Sequence, residues 1–282
     1  MQFDVNELPG ATFGGLLTVS TNPADMVLAA EALPDALPNL LDQHQGLLLI
    51  KCMDGMADEP ELLLRLSRIF GTEVESYHET RMARQNVHPE IPEIFMVSNI
   101  PPSDRVPPPQ PDPPRNKDGS FPRQFPHRRG WHTDQSYRRP PPDISLFYCV
   151  KPAPRDQAQT LYANGTAAYE ALSDAARAKI DSLDGIHCSS KLGRNEQAVR
   201  AGETPDELQA FERPQRQPLA RVHPVTGKKA LYLCESGQMD WLDGPVAGLA
   251  PGPDGEGGRL IYELMSHYTQ DEFVYMHEWS AG

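Results

Sequence analysis

Basic residues are the minority charge in this chain. Twenty-six Lys and Arg face 39 Asp and Glu, for a formal net charge of -13. Sequence-independent binding to nucleic acid needs concentrated positive surface to displace counterions, so nucleic acid is not an expected partner. The opening stretch MQFDVNELPG lacks the basic and apolar regions of a secretory signal, and no later run is long and apolar enough to cross a bilayer. No membrane partner is expected, and the expected location is cytoplasmic. Cysteine is scarce: Cys52, Cys149, Cys188 and Cys234 are far apart and form no C-x-x-C, which argues against a zinc knuckle or a redox pair. Reduced, small core residues are the expectation. No internal repeat is visible.

The chain has 282 residues, 39% of them hydrophobic and 23% charged, enough to bury a substantial core. Residues 22 to 45 read as helical, with Asn22 as cap and Pro34 and Pro38 breaking or kinking the run. Gly46 to Lys51 reads as a buried strand. A helix follows, capped by Asp58, started near Pro60, faced by Leu62, Leu63, Leu66, Ile69 and Phe70, and stopped by Gly71. Strands are expected over 93–100, 130–137, 144–150, 159–162 and 185–190. Thr166 and Ser173 are candidate caps of two helical pieces within 166–183, and 191–217 reads as an exposed excursion. Residues 219–222 and 230–234 suggest a hairpin around His223 to Lys228. A helix is expected over 256–270, with Leu260, Ile261, Leu264 and Tyr268 inward, and a last strand carries Phe273, Tyr275, His277 and Trp279. Many short strands with bunched helices favour a β-rich α+β domain spanning 1–282.

Proline is abundant, at 29 residues. Its cluster in the segment 101–129 lacks helical or strand periodicity and leads directly into Gly130-Trp131-His132-Thr133-Asp134. Such a segment is read as a lid or insertion, with a domain linker as the alternative. On extended backbone, residues two apart share a face, so His132 and Asp134 offer an imidazole nitrogen and a carboxylate oxygen to one metal. They are two of the three donors in the two-histidine, one-carboxylate set of non-haem Fe(II) oxygenases. A surface His hydrogen-bonded to a nearby Asp is the plainer alternative. Arg128 and Arg129 could hold an anionic substrate through bidentate contacts, or form a solvated basic turn. Asn99 is a candidate polar contact, and Tyr77 and His78 either reach the substrate or cap a core edge. His223 reads as a turn residue, His267 as an exposed helical side chain, and His277 as a structural neighbour of Trp279.

Four pieces, in order and spacing, resemble the taurine dioxygenase family of Fe(II)- and 2-oxoglutarate-dependent oxygenases. They are Gly130 to Asp134, Pro140-Pro141-Pro142 with the following strand, Thr160-Leu161-Tyr162 with Asn164 to Leu172, and His223-Pro224-Val225-Thr226-Gly227-Lys228-Lys229-Ala230-Leu231-Tyr232. The resemblance implies a double-stranded β-helix, or jelly roll, with flanking helices. It also implies His132 and Asp134 as iron ligands and Thr160 as a hydrogen-bond donor to a carboxylate of 2-oxoglutarate. The implied cofactors are Fe(II), 2-oxoglutarate and O2. The implied reaction hydroxylates a small, anionic organic substrate and releases succinate and CO2. Asp134 argues against a halogenase, where a small residue makes room for chloride. Family members form dimers and tetramers, so a homo-oligomer is compatible with the resemblance. In the family a second His ligand and a 2-oxoglutarate-binding Arg follow the segment that begins at Trp279, so the chain is expected to be truncated at its C-terminus. The alternative is a non-catalytic scaffold or binding protein of the same fold, and a metal-free sugar-binding jelly roll is a third reading.

Overall fold

The structure is a computed structural model that describes residues 3–76, 86–98, 117, 130–155, 158–189, 192–235 and 237–282. The expected lid over 101–129, apart from Lys117, lies outside the described residues, as do Tyr77, His78, Asn99, Arg128 and Arg129. Contacts group the chain into two compact units, Met1–Phe121 with Leu146–Gln159 and Glu278–Gly282, and Pro122–Ser145 with Thr160–His277.

In the first unit, β1 (Val5–Glu7), β2 (Gly15–Thr18) and β3 (Leu48–Lys51) lie side by side in that order. The β1–β2 pair is antiparallel and the β2–β3 pair parallel. A parallel pair needs a crossover, and α1 (Pro23–Ala32) with α2 (Ala36–Gln43) supplies it. Asn22 Oδ1 accepts from the Asp25 amide at 2.8 Å, and Pro23 takes the first helical position, where no amide is needed. Pro34 separates the two helices. Pro38, expected to kink the run, instead sits in the first turn of α2, where a missing amide costs nothing.

Helix α3 spans Glu61–Phe70 and is capped by Pro60, not Asp58, which closes a short 3-10 turn. Its Leu62 and Leu66 join Leu17, Met26, Val27, Ala30, Leu37, Met53 and Met56 in one buried cluster.

Two expected strands outside the 130–137 segment are not formed. Among the described residues of 93–98, Phe95 makes only an isolated bridge to Val87. Residues 144–150 carry no strand pairing either. There Leu146 and Tyr148 pack on the core while Phe147 and Val150 stay exposed. The alternating apolar pattern reports burial, and pairing needs a partner edge as well.

The second unit pairs its strands two by two, all antiparallel: β4 (Thr160–Ala163) with β9 (Val274–His277), β5 (Asp184–His187) with β6 (Gln215–Pro218), and β7 (Ala220–Val222) with β8 (Lys229–Leu231). The hairpin, the last strand and the strand at 185 are where the periodicity puts them. Isolated bridges extend the β5 pairing to Val246 and Met239. Among the described residues the strands form small sheets and no continuous barrel.

The helices of this unit are α4 (Gly165–Glu170), α5 (Asp174–Ile180), α6 (Glu196–Ala201) and α7 (Glu256–Tyr268). Leu260, Ile261, Leu264 and Met265 of α7 close over a core centred on Trp241, Leu219 and Leu233. Residues 191–217 are no simple exposed excursion. They hold α6 and β6, and Leu192 and Arg194 are buried, Arg194 paired with buried Asp240 at 2.8 Å.

Cys188 and Cys234 are buried thiols as expected, whereas Cys149 is half-buried and Cys52 exposed. Among the described residues no helix is long and apolar enough to cross a membrane.

Ser173 caps α5 as expected, but α4 is capped by Asn164, not Thr166. The Asn164 side chain accepts from the amides of Thr166 and Ala167 at 3.1 and 3.0 Å, and its own amide donates to the Phe273 carbonyl at 2.8 Å. The residue therefore ends β4, starts α4 and holds the approach to β9. Asn164→Ala is expected to destabilise the protein by about 1–2 kcal/mol, and Asn164→Asp by much less, in urea denaturation followed by circular dichroism.

Candidate metal site

The segment Gly130 to Tyr137 belongs to the second unit and runs as a turn-rich loop. It is not the extended strand expected from the alternation of His132 and Asp134. Among the described residues no strand ladder runs along it. The Glu235 amide donates to the Trp131 carbonyl at 2.6 Å, and the Trp131 amide donates to Glu235 Oε2 at 2.7 Å. That carboxylate passes over Gly130, where an added Cβ would come within 2.5 Å of Oε2. Any other residue at 130 would displace the clamp. Beyond Asp134 the chain turns, with Gln135 at φ +48° and the Arg138 amide donating to the Gln135 carbonyl at 2.9 Å.

The turn brings His132 and Asp134 together by a different route from the expected one. His132 Nε2 lies 3.1 Å from Asp134 Oδ1, and His132 Nδ1 lies 2.8 Å from the Gly130 carbonyl. A carbonyl can only accept, so Nδ1 carries hydrogen. In a neutral imidazole Nε2 is then a bare lone pair facing a carboxylate oxygen. Two electron-pair donors at this distance repel unless positive charge lies between them, either a proton on Nε2 or a metal ion. Two ligands each about 2.1 Å from one ion and at right angles would be about 3.0 Å apart. The spacing, the donor types and the carbonyl that fixes the ring all fit a divalent first-row metal.

Among the described residues no three His, Cys, Asp or Glu side chains converge to hold a metal. The other histidines considered are engaged elsewhere. His223 Nδ1 accepts from the amides of Val225 and Thr226 in the hairpin turn. His267 is half-buried rather than exposed, its Nε2 2.7 Å from the Ala168 carbonyl and its ring against Phe273. His277 is buried, with Nδ1 3.2 Å from the Tyr275 hydroxyl.

Thr160 opens β4 directly opposite His277 on β9, and Tyr162, two residues on, shares its face. Burial, reinforced by the negative charge of Asp134, pushes the Tyr162 phenol up to about 12. The charge of Asp134 therefore reaches the face of β4 that bears Thr160. Asn99 and Arg128 cannot be compared with this geometry, being outside the described residues.

Behind the loop lies a polar cluster with no counterpart in the expected site. Ser136, His187 and Cys234 are fully buried. The Thr133 amide donates to Cys234 Sγ at 3.3 Å, Ser136 Oγ lies 3.3 Å from the same sulfur, and His187 Nδ1 lies 2.8 Å from Ser136 Oγ. Burial, with the Arg221 cation adding to it, lowers His187 to about 4. Burial also pushes the Cys234 thiol up to about 11, against the hydrogen bonds from Ser136 and Thr133. Both groups are neutral near pH 7, so this is no thiolate–imidazolium nucleophile. The sequence signal was present but ambiguous: His187 lies on an expected strand and Cys234 at the end of an expected hairpin, positions that read as core.

The model of the family described as taurine catabolism dioxygenase TauD, TfdA matches residues 19–282. An (S)-phenoxypropionate/alpha-ketoglutarate dioxygenase of Sphingobium herbicidovorans is 29% identical over 157 residues, covering 54% of this chain and 51% of that protein. An alpha-ketoglutarate-dependent 2,4-dichlorophenoxyacetate dioxygenase of Cupriavidus pinatubonensis is 30% identical over 154 residues, covering 54% and 48%. The chain thus spans about half the length of these curated relatives. A crystal structure of a taurine dioxygenase from Burkholderia xenovorans superposes with a TM-score of 0.59 at 21% identity, over 100% of this chain and 78% of that one. At that identity the likeness is one of fold.

The buried imidazole makes stability depend on pH. The unfolded chain binds this proton below about 6.5, while the folded chain refuses it until about 4. The contribution of His187 is therefore complete above pH 6.5 and is lost as pH falls toward 4, by roughly 3 kcal/mol in all. Urea denaturation at stepped pH is expected to show this loss in the wild type and a flatter profile for His187→Asn over the same window.

Proposed function

We infer the function of this chain from one premise: it belongs to the taurine catabolism dioxygenase TauD, TfdA family. We propose that it is an Fe(II)- and 2-oxoglutarate-dependent dioxygenase that hydroxylates a small anionic organic substrate and releases succinate and CO2. The observation that carries this reading is the apposition of His132 Nε2 and Asp134 Oδ1 at 3.1 Å, which needs positive charge between two electron-pair donors. Bound there, Fe(II) would supply the O2-dependent oxidative decarboxylation of 2-oxoglutarate that drives C–H hydroxylation. The fold proposed is the family's jelly roll, in one oxygenase domain spanning 1–282.

Each residue has a definite task in this reading. His132 gives a neutral nitrogen, its ring held by the Gly130 carbonyl, and Asp134 gives a carboxylate that offsets part of the metal charge. Thr160 donates its hydroxyl to a carboxylate of 2-oxoglutarate, where a buried anion needs a hydrogen bond. Tyr162 stays protonated at neutral pH and adds no second negative charge beside Asp134.

The substrate class proposed is an aryloxyalkanoic acid, by likeness to the two curated relatives, with Arg128 and Asn99 as its contacts. Arg128 suits a carboxylate because guanidinium binds it through two hydrogen bonds.

A second reading is supported by the donor count among the described residues. A chain of the same fold with only two metal-binding side chains would hold iron and 2-oxoglutarate too weakly for turnover.

Anaerobic titration of the 282-residue chain with Fe(II) and 2-oxoglutarate separates the two. The dioxygenase reading expects the weak visible charge-transfer band of a chelated keto acid and micromolar retention of both by calorimetry. His132→Ala and Asp134→Ala are each expected to weaken Fe(II) retention by more than about 100-fold. Retention is expected to fall with pH as protons compete for His132 Nε2. A chain that keeps neither ion nor co-substrate supports the scaffold instead.

A further inference from the structure

The buried groups behind the loop touch neither Nε2 of His132 nor Oδ1 of Asp134, yet they end on the residue between them. We propose that His187, Ser136 and Cys234 form a directed hydrogen-bond chain that fixes the Thr133 amide and so aims His132 and Asp134 at one point. The last clause rests on the reading of His132 and Asp134 as a metal-binding pair.

The direction of the chain follows from its far end. His187 Nε2 is buried without a hydrogen-bond partner among the described residues. It faces the bare Cα of Gly185, where an added Cβ would lie 3.2 Å from Nε2, and the same space is bounded by Leu219 and Met239 side chains. A hydrogen on Nε2 would be an unpaired donor in apolar surroundings, which costs more than an unpaired lone pair in a weakly polar site. The ring hydrogen therefore sits on Nδ1.

From there the shortest contacts give the order, with Cys234 Sγ also 3.6 Å from His187 Nδ1 and its own hydrogen directed to the Thr133 carbonyl at 3.9 Å. Nδ1–H donates to Ser136 Oγ across 2.8 Å. The Ser136 hydroxyl, having accepted, donates to Cys234 Sγ across 3.3 Å. Sγ accepts in turn from the Thr133 amide, also at 3.3 Å. Ser136 is held from a second side as well, its carbonyl accepting from buried Gln217 Nε2 at 3.1 Å. Gln217 and His187 sit on β6 and β5, which pair with each other, so the chain refers the loop to a fixed sheet.

A second contact, between Trp131 and Glu235, holds the loop one residue before His132. Thr133 is thus the residue that joins the two donors, and the direction of its amide bears on the angle between their side chains. Ser136, His187 and Cys234 are positioning residues, since they act through Thr133.

Amide hydrogen exchange of the metal-free chain tests the chain directly. Ser136→Ala is expected to speed exchange at Thr133 by about 10-fold, the loss of one hydrogen bond, and to leave the β5 and β6 amides protected. Cys234→Ala, which removes the acceptor itself, is expected to do the same, and the double variant no more than the worse single one. Cys234→Ser, which keeps a donor and an acceptor, is expected to restore most of the protection.

Mn(II) titration then tests the consequence. Ser136→Ala is expected to weaken Mn(II) binding by about 10-fold to 100-fold, as outer partners of metal ligands do.

Unchanged Thr133 exchange in both single variants overturns the proposal, as does a rise shared equally by β5 and β6, which would mean general unfolding. Equal Mn(II) affinity of wild type and Ser136→Ala overturns the aiming role. A wild type that binds no Mn(II) counts against the metal reading alone, and the exchange rates still decide the chain.

Discussion

Two electron-rich atoms 3.1 Å apart, a ring nitrogen and a carboxylate oxygen, set the physical problem that the second unit solves. Left to themselves they would separate, since a short exposed loop has no reason to hold a repulsive pair. The Gly130 carbonyl commits the hydrogen of His132 to Nδ1, and in doing so commits Nε2 to the carboxylate side. The close approach is then met by positive charge between the two atoms, from a proton on Nε2 or, in the function proposed, from a metal ion. A metal ion there would be free of the directional limits of a proton and could serve further ligands at the same time.

The hardware that holds the pair is buried while the pair itself is not. Asp134 keeps 43% of its side-chain exposure and His132 25%, whereas Ser136, His187 and Cys234 have none. Such a division is physically sensible. A donor pair inside the core would carry the full desolvation cost of a carboxylate, while neutral hydroxyl, thiol and imidazole groups can be buried once hydrogen-bonded. Glu235 occupies the boundary. Burial raises its carboxyl, while the Trp131 amide stabilises the charged form, so its charge is spent on the backbone clamp.

Much of this was legible in the sequence, and the failures share a cause. Helices with a strong apolar face, such as 61–70 and 256–268, and hairpins marked by turn residues, such as 220–231, lie where periodicity puts them. The runs 93–98 and 144–150 have the composition of strands but form no strand among the described residues, because pairing depends on edges that only the tertiary fold supplies. Asn164 displaced Thr166 as a cap because its short amide reaches two amides at once, a choice that depends on where β4 ends. His132 and Asp134 were found by a spacing argument that presumed extended backbone. The two side chains meet although the backbone turns, because residues two apart can also approach across a bend closed by a carbonyl, and that contact is equally the one expected of a surface His hydrogen-bonded to a nearby Asp. The supporting cluster was illegible because its members stand far apart in sequence, at 136, 187 and 234, each with an ordinary core explanation.

The same contrast explains why the loop is a better place for this pair than a regular strand. In a strand, neighbouring ladder bonds fix every residue alike, and side chains two apart stand parallel at a spacing set by the pleat. In this loop the ties flank the pair: Trp131 to Glu235 before His132, Thr133 to Cys234 between the donors, and Ser136 to Cys234, His187 and Gln217 after Asp134. The angle between donors then depends on side chains that can be varied one at a time, while the sheet beneath stays the same. Fine adjustment of the site is in this way separated from stability of the fold. The cost of that separation is a buried imidazole whose Nε2 has no partner among the described residues, carried where burial keeps the ring neutral near pH 7.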